Sequence, residues 1–544
     1  MLNRSPRTLI SSLLCALLLL CVTSIPYYKQ AFHPPEGTVF SGFFVYPKDM
    51  HSYGMWLRQA SQGHWLFRDQ YEPVPHPRGY FNICWNLFGH LGGALNLSLP
   101  ETFQLMRWGS VFLLVGAFVR LSYDLIEEKW IRRCMISLFG LGGSYGGWLL
   151  LLNRGQLAYS ELIHRAADLW SPIHPFFSIM FVPHFSFALA WFLLANTAWL
   201  AGKKTKNKSL YLTSTLCIMI AGLTHPFEML TFGATVVGVT FLERAQLHKE
   251  KQDWYSLIPL LGVFSVVLYD FWLTHLHPVF RIWRNASGGD RPLWLMLTGG
   301  GPVLWVGLLE LLRLIQHPRH LEIKERWLLV WGSLSLVLLY SRLLPNAFGF
   351  STSMLLPHYF LAGRWLSRFW KGSGIGVRMG ILLVTLGLTV TSLCLLWQAS
   401  VLPETELSRA LFARNKADLY QLFVPLPVKG GMEWLGEHAG ENEVILGAWE
   451  TLLQIPTYSD AFVFVGHKDM SSDRTRKKEE IEQFFDRTTS NGWRKEFLIR
   501  ERIAYVFWGP KERALGAFQP ATLSLLNPVY STEGVVVYSV KRPH

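Results

Sequence analysis

Chemistry in this chain is densest between Phe40 and Leu97, where ionisable and aromatic side chains crowd a stretch with apolar segments on both sides. It opens with Phe43-Phe44-Val45-Tyr46-Pro47-Lys48-Asp49-Met50-His51 and continues through Tyr53, Trp56, Arg58, Trp65, Asp69, Tyr71, Glu72 and His76. A carboxylate such as Asp49 can take the proton from an attacking hydroxyl, a step typically contributing about 10²–10⁴-fold. Tyr46, Tyr53, Trp56 and Trp65 offer aromatic rings on which a ligand can stack. Met50, Tyr53, Gly54, Leu57 and Ala60, then Phe81, Cys84, Trp85, Phe88, Leu91 and Leu95, recur near helical spacing. They predict two amphipathic helices at a membrane surface. The plainer reading of Asp49 is an N-cap for a helix starting at Met50, with Pro47 holding the backbone just ahead.

These residues need elements to hold them, and composition names the kind. The 544 residues are 50% hydrophobic and 16% charged, with 23 Trp, and the mean hydropathy is +0.22. Soluble domains average about 25% charged, so the pattern is that of a polytopic α-helical membrane protein. The net charge of +13 does not point to nucleic acid, because the basic residues cluster in short gaps between apolar segments. The six Cys show no paired spacing and predict neither a disulfide framework nor a zinc site.

Thr8–Ile25 follows Arg4 and Arg7 and reads as an uncleaved anchor with a cytoplasmic N-terminus, placing a first outer loop at 26–100. Ten further segments follow, near 102–121, 134–152, 178–201, 209–224, 228–243, 254–275, 293–314, 327–344, 351–369 and 379–398, giving about eleven spans. Lys203, Lys204, Lys206 and Lys208 fill one gap, Arg364, Arg368, Lys371 and Arg378 another, and every alternate gap is similarly basic. That regularity assigns those gaps to the cytoplasm. An odd count then places the C-terminus outside. Residues 1–402 form the membrane part and 403–544 a soluble extracytoplasmic α/β domain, with helical pattern over Glu404–Leu422, Gly431–His438 and Arg476–Arg487. Short apolar runs at Val444–Trp449, Phe462–Gly466, Ala504–Trp508 and Val535–Val540 predict its strands.

With this threading, polar residues collect on the outer side: Glu161, Asp168, His184, His225, Glu228, Arg281, Arg284, Arg342 and His358. An ionisable residue at membrane depth costs roughly 2.5–3.5 kcal/mol. A shared side therefore suggests a polar cavity, although a lone interfacial His is ordinarily a packing residue and a loop Arg a headgroup anchor.

A long outer first loop with an early acidic residue, many further spans and an outer C-terminal domain resemble the GT-C superfamily. Its members include protein O-mannosyltransferases, aminoarabinose transferases and oligosaccharyltransferase catalytic subunits. The resemblance implies transfer of a sugar from a polyprenyl-phosphate-linked donor in the membrane lipid to an acceptor on the outer side. The family's catalytic carboxylate maps onto Asp49 in Tyr46-Pro47-Lys48-Asp49, and a second acidic position falls on Glu161 or Asp168. Asp49 has no acidic neighbour of the Asp-x-Asp or Asp-Glu kind. The segment Phe464-Val465-Gly466-His467-Lys468 is similar to uncharacterised bacterial multispan members. Transfer also needs positive charge or a divalent cation on the departing phosphate, for which Arg281, Arg284 and Arg342 are candidates. Two other classes fit the composition. Gly/Pro-broken segments at 140–147 and 299–302 suit a secondary transporter, and the outer domain suits an assembly scaffold.

Overall fold

Where described, each membrane segment expected above is largely helical in the computed structural model, which describes residues 6–246, 253–285, 292–317, 321–341, 347–413 and 415–541. Six of the described helices are long and apolar enough to cross a membrane: Ser12–Phe32, Leu99–Leu125, Pro183–Thr205, Trp254–Leu276, Leu293–Gln316 and Ile375–Ser400. A seventh crossing exists if Lys129–Leu141 and Gly146–Leu152, bent by 66°, act as one span. The other four expected segments fall below that standard. Lys208–Gly222 has 15 residues, and Ile323–Leu339 and Leu356–Gly372 have 17 each. At 1.5 Å per residue, these are shorter than the roughly 30 Å hydrocarbon layer. Pro226–Gln246 carries Glu228 and Glu243.

The chain divides into two compact units. The first contains Met1–Tyr27, Gln104–Asp270 and Ser287–Leu411, and the second contains Tyr28–Phe103, Phe271–Ala286 and Phe412–His544.

Aromatic packing centres the first unit, with Phe118 stacked on Phe139 at 3.8 Å and on Phe360 at 5.0 Å. At one end of it a fully buried Glu310 accepts from Arg313 at 3.0 Å and from Arg368 at 2.7 Å, while Arg364 donates to Glu325 at 2.5 Å. Lys324 from the same end donates to the Asp124 carbonyl at 2.9 Å. Basic residues from two of the expected cytoplasmic gaps therefore meet around these carboxylates.

The two Gly/Pro-rich segments are both real breaks. The first is the 66° bend, and the second lies at Gly301, whose φ of 55° interrupts Leu293–Gln316 ahead of Pro302. A broken helix exposes backbone groups that need partners in an apolar setting. Ser144 donates to the Thr298 carbonyl at 2.7 Å, joining one break to the other. Asp168 accepts the amides of Ser144 at 2.8 Å and Gly146 at 3.1 Å and the Thr391 hydroxyl at 3.1 Å. His174 donates from Nε2 to the Gly299 carbonyl at 2.9 Å.

In the second unit, β1 (Thr38–Phe40) pairs antiparallel with β2 (Phe423–Pro425), joining the first loop to the C-terminal residues. Strands β3 (Val444–Leu446), β4 (Phe462–Val463), β5 (Ile503–Trp508), β6 (Leu526–Thr532) and β7 (Val535–Val540) form one sheet in the order β4-β3-β5-β7-β6. β3 runs parallel to both its neighbours, whereas β5, β7 and β6 are successively antiparallel. β6 was not expected from the sequence, because Asn527 and Pro528 interrupt its apolar pattern as an edge strand permits. The expected amphipathic pair is present as helices Pro47–Ser61 and Ile83–Ala94, whose facing sides pack on one another. Gly89 makes this close approach possible, since a Cβ there would come within 2.4 Å of the Ala60 Cβ.

Candidate active site

Pro47 occupies the first turn of Pro47–Ser61, a position suited to its missing N–H and preset φ. Tyr46 precedes it as the N-cap, in the left-handed region at φ 50°, without a side-chain cap bond. The helix thus starts three residues earlier than expected from Met50, and Asp49 lies inside its first turn instead of capping it. There the carboxylate interacts favourably with the positive end of the helix. Its side chain remains 42% exposed, so an external hydroxyl can reach it.

His467 holds Asp49 from the segment that leaves β4. Its Nδ1 accepts the Asp469 amide at 3.3 Å, which leaves the hydrogen on Nε2, and Nε2 donates to Asp49 Oδ1 at 2.8 Å. The first loop anchors that segment. Gln70 donates to the carbonyls of Ser459 and Ala461 at 2.8 and 3.0 Å, and its own carbonyl accepts the Val463 amide at 2.9 Å. The Tyr71 hydroxyl donates to the Leu453 carbonyl at 2.8 Å. The Tyr71 ring crosses the backbone at Gly466, where a Cβ would lie 1.8 Å from a ring carbon; only glycine fits beside His467. Trp449 donates its indole N–H to the Gly466 carbonyl at 2.7 Å.

The predicted aromatic residues divide into two kinds. Tyr53, one turn beyond Asp49, stacks on Trp85 at 4.9 Å, and burial followed by the Asp49 charge pushes its phenol up, keeping it protonated. Trp56 is buried against Tyr80 at 4.7 Å and Trp283 at 5.9 Å, a packing position with no open sugar-stacking face. Trp65 is 61% exposed, with His90 beside it at 4.4 Å. Arg281 and Arg284 are exposed on the 3-10 turn Phe280–Asn285, which Trp283 pins to the first-loop aromatics. Arg342 lies outside the described residues.

The remaining candidates belong to the first unit. Glu161 is exposed and pairs with Arg165 at 2.8 Å, while Asp168 is buried and bonded to the broken spans as described above. His184 and His225 flank Phe185, at 4.4 and 4.6 Å. His225 Nδ1 lies 2.5 Å from Glu228 Oε2. His358 is fully buried against Gly307, where a Cβ would come within 2.9 Å of its Nδ1. Among the described residues no three His, Cys, Asp or Glu side chains meet as a metal-ligand set.

The sequence assigned no role at the site to His467, Trp449, Arg474 or Lys478, although His467 stands in the quoted segment Phe464–Lys468. His467 is 418 residues from Asp49, and only tertiary pairing brings them together. Its one sequence signal was the short apolar run ending in Gly466-His467.

No protein-family model and no curated protein matches the sequence. Solved structures do match. The archaeal oligosaccharyltransferase AglB of Archaeoglobus fulgidus, in complex with an inhibitory peptide and a dolichol-phosphate, aligns with TM-score 0.54 and 10% identity, over 98% of this chain and 74% of that one. ArnT of Cupriavidus metallidurans in the apo state aligns with TM-score 0.52 and 11% identity, over 97% of each chain. The mycobacterial arabinofuranosyltransferase AftD aligns with TM-score 0.53 and 14% identity, over 99% of this chain and 40% of that one. The fold is that of the GT-C membrane glycosyltransferases.

Proposed function

We propose that this chain transfers a sugar from a polyprenyl-phosphate-linked donor to an acceptor hydroxyl at the extracytoplasmic face of the plasma membrane, with Asp49 as general base. The observation that carries the reading is the half-exposed Asp49 carboxylate, held by the His467 Nε2–H at the start of a helix. In this mechanism the acceptor oxygen bonds to the anomeric carbon as its proton passes to Asp49. The bond from that carbon to the phosphate oxygen breaks, and its electron pair leaves with the phosphate. The protein contributes alignment and a base, the latter worth typically about 10²–10⁴-fold. The occurrence of dolichol-phosphate in the AglB structure supports the donor class. The two helix breaks, which would suit a transporter, have internal partners in Asp168, His174 and Ser144 and require no transported ion.

Asp49→Asn tests the assignment. Asn preserves the shape and the hydrogen bond to His467 but cannot take a proton. The variant is expected to fold normally and to lose on the order of 10²-fold in transfer from a polyprenyl-phosphate sugar. Near-normal transfer by well-folded Asp49→Asn would remove Asp49 from the mechanism.

A further inference from the structure

Helix Arg474–Phe485 has two faces with different environments. Lys477, Ile481, Phe484 and Phe485 are buried, whereas Arg474 and Lys478, one turn apart, point toward a single indole. Lys478 Nζ lies 3.7 Å from the Trp449 ring centroid, the Arg474 guanidinium 5.1 Å from it, and Lys48 Nζ, from the first loop, also 5.1 Å. A cation over an indole gains about 0.5–1 kcal/mol at an exposed site, which does not offset the gathering of three like charges.

Asp418 pairs with Lys48 at 3.7 Å, Asp469 with Lys468 at 3.6 Å and Asp473 with Arg476 at 3.9 Å, while Glu450 and Glu482 act on Lys478 without reaching ion-pair distance. Among the described residues neither Arg474 nor Lys478 has a carboxylate at ion-pair distance, and the buried Arg474 Nε has no hydrogen-bond partner. Burial, and then the charges of Arg474 and Lys48, push the Lys478 ammonium down to about 8 against the opposing pull of Glu450 and Glu482.

Trp449 itself follows the carboxyl end of β3, between neighbours β4 and β5 that lie on opposite sides. Open α/β sheets hold ligands at such a point. Through Gly466 the indole is bonded to the segment carrying His467, the partner of Asp49.

We infer that Lys48, Arg474 and Lys478, gathered around Trp449, form a binding site for a phosphate group of the substrate beside Asp49. Two ammonium groups and a guanidinium match a multiply charged oxyanion, and a guanidinium can bind phosphate oxygens in pairs. Asp418 partly offsets Lys48, and Arg474 and Lys478, which make no ion pair among the described residues, remain for the anion. The phosphate comes either from a lipid-linked donor or from a soluble phosphate compound. That it belongs to the substrate rests on the glycosyl-transfer reading, but the site's affinity for phosphate does not.

The test is equilibrium binding to the full-length protein in a phosphate-free, sugar-headed detergent, with polyprenyl monophosphate, the matching polyprenol and inorganic pyrophosphate as probes. The monophosphate is expected to bind more tightly than the polyprenol. Arg474→Gln/Lys478→Gln should weaken phosphate binding by about 10-fold or more with unchanged thermal unfolding. Lys478 loses its proton as pH rises through about 8, so affinity should fall across that range, and Lys478→Arg should abolish the fall. Competition by pyrophosphate at equal strength would identify a soluble source, and binding of the polyprenyl phosphate alone a lipid source. Wild-type-like binding of both phosphate probes by the double variant, or equal binding of polyprenol and its phosphate by the wild type, would overturn the inference. Because binding is read without turnover, inactive transfer alone leaves it standing. Conversely, an Asp49→Asn defect in transfer beside unaltered binding in the double variant would sink the phosphate site and spare the catalytic assignment.

Discussion

At the scale of single residues, the pairing of Asp49 with His467 separates two roles. Asp49 is the group placed to touch the acceptor, and His467 acts through it as a positioning residue, because its Nε2–H directs one carboxylate oxygen and leaves the other available. His467→Ala should therefore lower kcat by about 10-fold or more through lost alignment, with little change in KM. His467→Gln, which can still donate an N–H to Asp49, should recover most of that loss. A side chain needed only for folding would show equal defects in both variants and a reduced thermal midpoint. Steady-state transfer kinetics on the two purified variants distinguishes the cases.

At the scale of elements, helix Arg474–Phe485 can present its cations only if its opposite face is secured. Lys477 does this from the buried side, with Nζ 3.2 Å from Glu72 Oε1 of the first loop. Ser472 adds its amide at 2.7 Å and its hydroxyl at 2.8 Å to Glu72 Oε2. Removing one partner of a buried ion pair leaves the other charge uncompensated, at a cost of about 3–5 kcal/mol. Lys477→Met should lower stability by that amount in denaturant unfolding, and Glu72→Gln/Lys477→Met should restore most of it. A loss of under about 1 kcal/mol in the single variant would show that the pair behaves as a surface one.

For the whole molecule, sidedness decides where the chemistry takes place. The charges around Glu310 and Glu325 come from gaps expected in the cytoplasm, and they share one end of the first unit. The second unit contains both the first loop and the C-terminal sheet, with β1 paired to β2, so the two must lie on the same side of the membrane. Reporter fusions near Lys206 and Lys371 are expected to read cytoplasmic, and fusions near Asp69 and Glu441 external. A cytoplasmic reading at Glu441 would refute the orientation and, with it, an extracytoplasmic site at Asp49.

Sequence alone was enough to determine the helical membrane class, the basic gaps, the two amphipathic helices after the first segment and the α/β character of the C-terminal residues. Each of these is written in local periodicity or composition, which depends on neighbours within a few positions. The same local signal located the two helix breaks, because glycine and proline act on their own backbone. Local signal misled at the start of Pro47–Ser61, where Tyr46 takes a left-handed conformation that no pattern announced. Six or seven of the eleven expected spans meet the length and apolarity of a membrane crossing among the described residues, and four expected segments form shorter or less apolar helices. What tertiary structure alone decided is which residues keep Asp49 company. Trp56 proved to be packing, Asp168 a fastening for broken helices, and His467, Trp449, Arg474 and Lys478 the neighbourhood of the first loop. Those partners lie some four hundred positions downstream, Trp449 and His467 beyond the ends of short parallel strands and Arg474 and Lys478 on the helix that follows. Their approach depends on sheet order and on a glycine thin enough for Tyr71 to cross, neither of which leaves a mark near Asp49 in the sequence.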